Sequence, residues 1–235
     1  MQVSFWCEYP RDVVQVSGAD AAAYLQGQVS QDLRPLEVGG SAWTFVLQPT
    51  GRVDVLARVW RTADDVFVLD TDAGFGEVLV ARLNRFRIRV KAEIETLQWH
   101  CIAVRGDGAA AVPGGLPSWG GGVDLLGPDP QPPAGFAAGT AADLLAARID
   151  AVWPAMGAEI APGETIPAET GITDVAVSFT KGCYPGQELV ERMDSRGATA
   201  PRLLQLVDPT TFNGEITSRL GDRALAYLKR SELTQ

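Results

Sequence analysis

Lys181-Gly182-Cys183-Tyr184-Pro185-Gly186-Gln187-Glu188-Leu189-Val190-Glu191-Arg192 is the stretch on which the reading of this chain turns. A cysteine stands between two glycines, and a helix-compatible segment follows. Pro185 suits the first turn of a helix, where its missing N–H costs nothing. Leu189, Val190 and Met193 then recur at helical spacing. A thiol just ahead of a helix N-terminus faces unpaired N–H groups and the positive end of the dipole, and Lys181 adds a nearby charge. These conditions favour the thiolate and make Cys183 a candidate reactive group. The alternative is a turn around a buried, inert cysteine, since free Cys is commonly a small core hydrophobe.

The rest of the chain sets bounds. Its 235 residues suffice for one large or two small domains with a sizeable core. A net charge of −9 argues against a surface built for nucleic acid or anionic membrane. No run of eighteen apolar residues occurs, and the N-terminus lacks the pattern of a secretory signal. The cysteines, Cys7, Cys101 and Cys183, are odd in number and widely spaced, which suggests no disulfide framework and fits a reducing cytoplasm.

Residues 12–16 read as a strand, and Ser17 as the cap of a helix over 19–25. Strands are expected over 42–47, 52–61 and 66–69, with a turn at Pro49-Thr50-Gly51. Residues 76–86 read as an amphipathic helix. Ile88, Val90 and Ala92 alternate with Arg87, Arg89 and Lys91 as in a half-exposed strand. Another strand is expected over 97–104, and a helix over 141–151. Residues 106–140 are rich in Gly, Pro and Ala and read as loops. Three short strands close the chain at 203–207, 215–217 and 224–228. Strands interleaved with amphipathic helices indicate an α+β fold.

The run Lys-Gly-Cys-Tyr-x-Gly-Gln-Glu, with Arg192 and Arg196-Gly197 after it, resembles the signature of the YgfZ-type folate-binding proteins. These are relatives of the aminomethyltransferase (T-protein) of the glycine cleavage system. Residues 16–20, 24–32, 49–52, 166–169, 214–218 and 224–227 resemble further segments of that family in order, although few residues follow Arg202 where the family has a fuller barrel. The resemblance implies an aminomethyltransferase-like domain over 1–200 and a reduced C-terminal β module over 201–235. It implies a role in assembly or repair of iron–sulfur clusters in other proteins and, through them, in tRNA modification. Tetrahydrofolate or a one-carbon derivative would be the cofactor. Iron–sulfur proteins or cluster-assembly factors would be the partners, with no membrane and no direct nucleic-acid contact. Cys183 would supply the thiolate; Lys181, Tyr184, Gln187, Glu188 and Arg192 would shape its loop. Arg148 and Asp150 would face the pterin, and Glu169, in the stretch that leads into the cysteine loop, would also bind the cofactor; apart from the resemblance, the basic run that includes Arg87 and Arg89 could receive the glutamate tail. An aminomethyltransferase, or a structural homologue without ligand, are the rival readings.

Other chemistries find little support. His100 and Cys101 are strand neighbours and point to opposite faces. Cys-x-x-Cys, Gly-x-Ser-x-Gly and a phosphate-binding glycine loop are absent, so no resident metal is expected. In the aminomethyltransferases an acidic pair falls where this chain has Val55 and Leu56. Asp54 is one step away, and one step in a strand reverses the face.

Overall fold

The computed structural model describes residues 4–195 and 200–233. The chain falls into two compact units, each drawn from separate stretches: 12–97, 155–204 and 228–235 form one, and 1–11, 98–154 and 205–227 the other.

The first unit is built on a five-stranded sheet. Its strands are β2 (Arg11–Ser17), β3 (Ser41–Leu47), β4 (Val53–Ala63), β5 (Val66–Asp72) and β6 (Glu93–Leu97), in the order β3-β4-β5-β2-β6. β1 (Phe5–Glu8) belongs to the other unit. Val55, Ala57 and Val59 alternate along β4 onto one buried face. There they meet Tyr24 and Leu25 of helix α1 (Ala21–Gln26) and Leu79 and Leu83 of helix α2 (Gly76–Arg85). On the other face Arg58 is fully buried and lies opposite Asp70 across β4 and β5, with Nε 3.0 Å from Oδ1. Trp43, opposite Arg58 on β3, stacks on the guanidinium. A buried charge needs such partners, because removing one would strand the other in a low-dielectric interior.

Three expectations need correction here. The first helix starts at Ala21, and Ser17 ends β2 instead of capping it. Asp20 precedes the helix, but its carboxylate accepts the Lys91 N–H at 2.8 Å. Residues 88–92 are a loop. Arg89 takes the left-handed conformation (φ 57°), which breaks the alternation, and the strand begins only at Glu93. Arg87, Arg89 and Lys91 therefore do not share a strand face; Arg87 is spent on the Ala92 carbonyl at 2.7 Å. The strand expected over 97–104 is split, because β6 ends at Leu97 and the next strand starts at His100 in the other unit.

The second unit has its own five-stranded sheet, in which β7 (His100–Arg105) lies between β1 and β9 (Val123–Gly127). β8 (Leu116–Pro117) and β10 (Ala137–Ala138) flank it. The Gly/Pro-rich segment thus contributes strands as well as loops. Helix α3 (Ala141–Asp150) starts at a reciprocal cap: Thr140 Oγ1 accepts the Asp143 N–H, and the Asp143 carboxylate accepts the Thr140 N–H. Near the C-terminus β11 (Arg202–Val207), β12 (Ile216–Leu220) and β13 (Arg223–Lys229) form a third sheet in the order β11-β13-β12. Among the described residues no helix is long and apolar enough to cross a membrane.

Candidate functional site

The cysteine loop is fixed by its glycines. Gly186 has φ +84°, and a Cβ there would come within 2.4 Å of the Gln48 carbonyl oxygen and 2.8 Å of Gly51 Cα. Gly51 also has φ +84°, and its Cβ would meet Leu189 Cβ at 2.4 Å. Two glycines far apart in sequence thus pack backbone to backbone, and no larger residue fits at either position. This joins the β3–β4 hairpin turn to the cysteine loop. Between Tyr184 and Gln187 the chain turns on itself. The Gln187 side-chain oxygen accepts the Tyr184 N–H at 3.0 Å, and the Gln187 N–H donates to the Tyr184 carbonyl at 3.3 Å.

Lys181 does not act as a free charge beside the thiol. Its ammonium donates to the carbonyls of Gln26, Val29 and Gln31 at 2.6, 2.6 and 3.0 Å. Burial lowers its pKa to about 8, so it remains protonated at neutral pH, as three acceptors require. Lys181 is a tether between the cysteine loop and the segment after α1. Replacing it with Met leaves three carbonyls without their donor and is expected to cost about 2 kcal/mol or more in urea unfolding. A loss below about 0.5 kcal/mol, the range of an ordinary surface substitution, would refute the tether.

Cys183 is exposed at the crest of the loop. Helix α5 (Gln187–Ser195) begins four residues later. The loop gives the thiol access, while the Lys181 ammonium is engaged by its three carbonyls. Tyr184 is buried, which raises its pKa to about 12, so it packs as a neutral phenol. Gln187 donates to Glu191, and Glu188 and Arg192 are exposed on α5. Arg196 and Gly197 lie outside the described residues.

Arg52, the residue after Gly51, lines a groove of about 770 Å³ with Glu164, Glu169, Arg202 and Lys229. Glu169 is buried, and two of its contacts go to Arg202, at 3.2 Å (Nε–Oε1) and 3.3 Å (Nη2–Oε2). Arg52 donates to the Glu164 carbonyl. Among the described residues no group of three or more His, Cys, Asp or Glu could hold a metal ion.

The other expected ligand residues lie elsewhere. Arg87 and Arg89 are not among the side chains lining this groove. Arg148 and Asp150 belong to the second unit. Arg148 donates to the Trp153 carbonyl at 2.8 Å and to Ser218 Oγ at 2.6 Å, and Asp150 pairs with Arg223. Val152 takes φ 50°, a strained conformation for a β-branched residue.

No family model matches the chain. A mitochondrial iron–sulfur cluster assembly factor IBA57 homolog of Pyricularia oryzae is 31% identical over 217 residues, covering 84% of this chain and 55% of that protein. The tRNA-modifying protein YgfZ of Vibrio vulnificus is 25% identical over 226 residues, covering 83% of this chain and 67% of that one. Its homologues include the IBA57 and YgfZ proteins. The chain spans about half the length of the fungal relative. Its fold is that of the glycine cleavage system aminomethyltransferase T from Bartonella henselae, with a TM-score of 0.74 at 18% identity over 97% of this chain and 79% of the other.

Sequence reasoning missed Glu164, Arg202 and Lys229 as groove residues, and Gln48 as a contact of the loop. A signal existed for one joint. The Lys181 acceptors lie in the 24–32 segment that carries the family resemblance, so two such segments meet at one tether.

Proposed function

We propose that this protein binds a folate and acts in the assembly or repair of iron–sulfur clusters in other proteins, and through them in tRNA modification, with Cys183 as its working thiol. The observation that carries this reading is the clamped loop. Backbone packing at Gly51 and Gly186, together with the Lys181 tether, holds an exposed cysteine on a rigid base. The names of the IBA57 and YgfZ relatives support the same process. Iron–sulfur clusters are commonly held by four cysteines. Cys7 and Cys101 are buried, so Cys183 would give one ligand to a cluster shared with a partner, the cluster being cargo. The setting would be the cytoplasm.

The groove fits the chemistry of a folate. Its volume lies within the range of small-molecule sites. Glu169 would accept from the amino and N–H groups of a pterin, and Arg52 and Lys229 would meet the glutamate carboxylates. When bound, tetrahydrofolate would supply a one-carbon carrier beside the clamped loop. The test is calorimetric titration with tetrahydrofolate and its polyglutamates. Glu169→Gln is expected to weaken binding about tenfold, the loss of a charge-assisted hydrogen bond. Arg52→Ala should erase the advantage of a longer glutamate tail, and rising salt should weaken wild-type binding. Absence of saturable binding by any tetrahydrofolate form would sink the folate reading.

A further inference from the structure

From residue 78 to residue 92 the sequence carries Arg82, Arg85, Arg87, Arg89 and Lys91 and no acid, within a chain of net charge −9. Arg82 is buried against Asp54, and the other four are exposed at the end of α2 and in the loop that follows. Among the described residues none of these four enters an ion pair. In the middle of the loop stands Ile88, 74% exposed, more than any other large apolar side chain among the described residues. Its apolar neighbours turn inward. Val90 packs on the core of the first unit, and the Phe86 ring is faced by Arg82 and Arg85, whose guanidinium carbons lie 4.1 and 5.7 Å from its centroid. The loop is tied at its base. Arg87 Nη1 donates to the Ala92 carbonyl at 2.7 Å and keeps its charge. Asp20 binds the Lys91 N–H through its carboxylate at 2.8 Å and the Lys91 carbonyl through its own N–H at 3.1 Å. Arg89, with φ 57°, makes the turn in a conformation that residues other than glycine adopt at a cost. An isoleucine fastened outward between unpaired cations calls for a partner that is both apolar and anionic.

We propose that this loop docks the protein reversibly on an anionic lipid surface, with Ile88 entering the acyl boundary and Arg85, Arg87, Arg89 and Lys91 meeting the phosphates. Hydrocarbon beneath a layer of phosphates matches an apolar tip flanked by cations, and it needs no shaped pocket. The long arginine and lysine stems let the charges stay at the phosphates while the tip goes deeper. The net charge of the whole chain does not forbid this, because screening limits the reach of an exposed charge to about 8 Å at physiological ionic strength. Asp20 and Glu93, the acids beside Lys91, are outnumbered by the four cations. A polynucleotide fits less well, since Phe86, the one aromatic ring of the loop, is already faced by two guanidinium groups and is not free to stack on a base. A protein partner fits less well too, because one aliphatic side chain does not make the apolar centre such interfaces have.

The test is co-sedimentation of the full chain with sucrose-loaded vesicles. With equimolar phosphatidylglycerol and phosphatidylcholine, half of the protein should sediment at about 1 mM accessible lipid, the strength of one buried aliphatic side chain and a few interfacial cations. Pure phosphatidylcholine should bind at least about tenfold more weakly, and rising salt should release the protein from the anionic vesicles. Ile88→Ser should weaken binding about tenfold. Arg89→Gly, which suits the left-handed backbone while removing one charge, should weaken it about fivefold. Both side chains are exposed, so thermal unfolding should show that both variants fold. Ile88→Trp is expected to strengthen binding, since an indole favours the headgroup level. No sedimentation with the anionic vesicles would overturn the proposal, as would equal binding to the neutral ones or undiminished binding by Ile88→Ser. Poly(A) binding as tightly as the anionic vesicles, with no loss in Ile88→Ser, would overturn it in favour of a polynucleotide.

Discussion

Cys183 is expected to alkylate at least about a hundredfold faster than Cys7 when the folded protein is pulsed with iodoacetamide near neutral pH. Cys183 is exposed, whereas Cys7 and Cys101 are 4% and 5% exposed. Burial also raises the Cys7 pKa from 9.0 to about 11, ahead of a smaller opposing pull from Arg105. A raised thiol pKa keeps the inert protonated form across the neutral range. A rise of that size by itself lowers the thiolate fraction about a hundredfold, before any loss of access is considered. Mass spectrometry of peptides after timed quenching decides the order. Faster labelling of Cys7 or Cys101 would end the reading of Cys183 as the working thiol. Cys183→Ala should leave stability within about 0.5 kcal/mol of wild type, as an exposed side chain without packing duties allows.

The sequence showed the positions that matter at the loop more clearly than the reasons they matter. Gly51 and Gly186 stood out in two short motifs, but that they touch is a fact of tertiary packing. Lys181 stood two residues from Cys183, and proximity in sequence suggested an electrostatic neighbour. Its actual partners are 150 to 155 residues away in the chain, a separation no local rule reaches. Periodicity failed at residues 88–92 because alternation of side chains says nothing of φ, and Arg89 turns left-handed where Asp20 anchors the Lys91 backbone. The glycine-rich segment hid β9 because its five residues are short, buried and flanked by breakers. Glu169 stands in a short motif, while its ion-pair partner Arg202 comes from the start of β11, and that pairing needed the fold. The α+β class was legible throughout, since strand and helix periods alternate along most of the chain.

The same geometry bears on catalysis. Aminomethyl transfer requires an acid placed at the reacting nitrogen of the folate, with the carrier held in register. Val55 is fully buried in the core beneath α1 and α2, and Leu56 is 2% exposed, with its N–H directed to Met156 Sδ at 3.2 Å. Neither position offers a carboxylate. Asp54 is already engaged: Gln48 Nε2 donates to Oδ1 at 2.8 Å, and Arg82 Nε lies 3.3 Å from Oδ2. Arg82 is itself buried and also bonded to the Leu47 carbonyl, so freeing Asp54 would strand a guanidinium in the core. We therefore expect no measurable formation of methylene-tetrahydrofolate from an aminomethylated lipoyl carrier, even where tetrahydrofolate binds. A competent aminomethyltransferase serves as the control. Loss of a positioned acid or base typically costs about 10²–10⁴-fold, so turnover within about a hundredfold of the control would overturn this expectation. The one-carbon transferase reading would then displace the role in iron–sulfur assembly. An Asp54→Asn variant would separate the two cases: its turnover should fall if Asp54 is the acid, and its folding stability alone should fall if Asp54 serves Arg82.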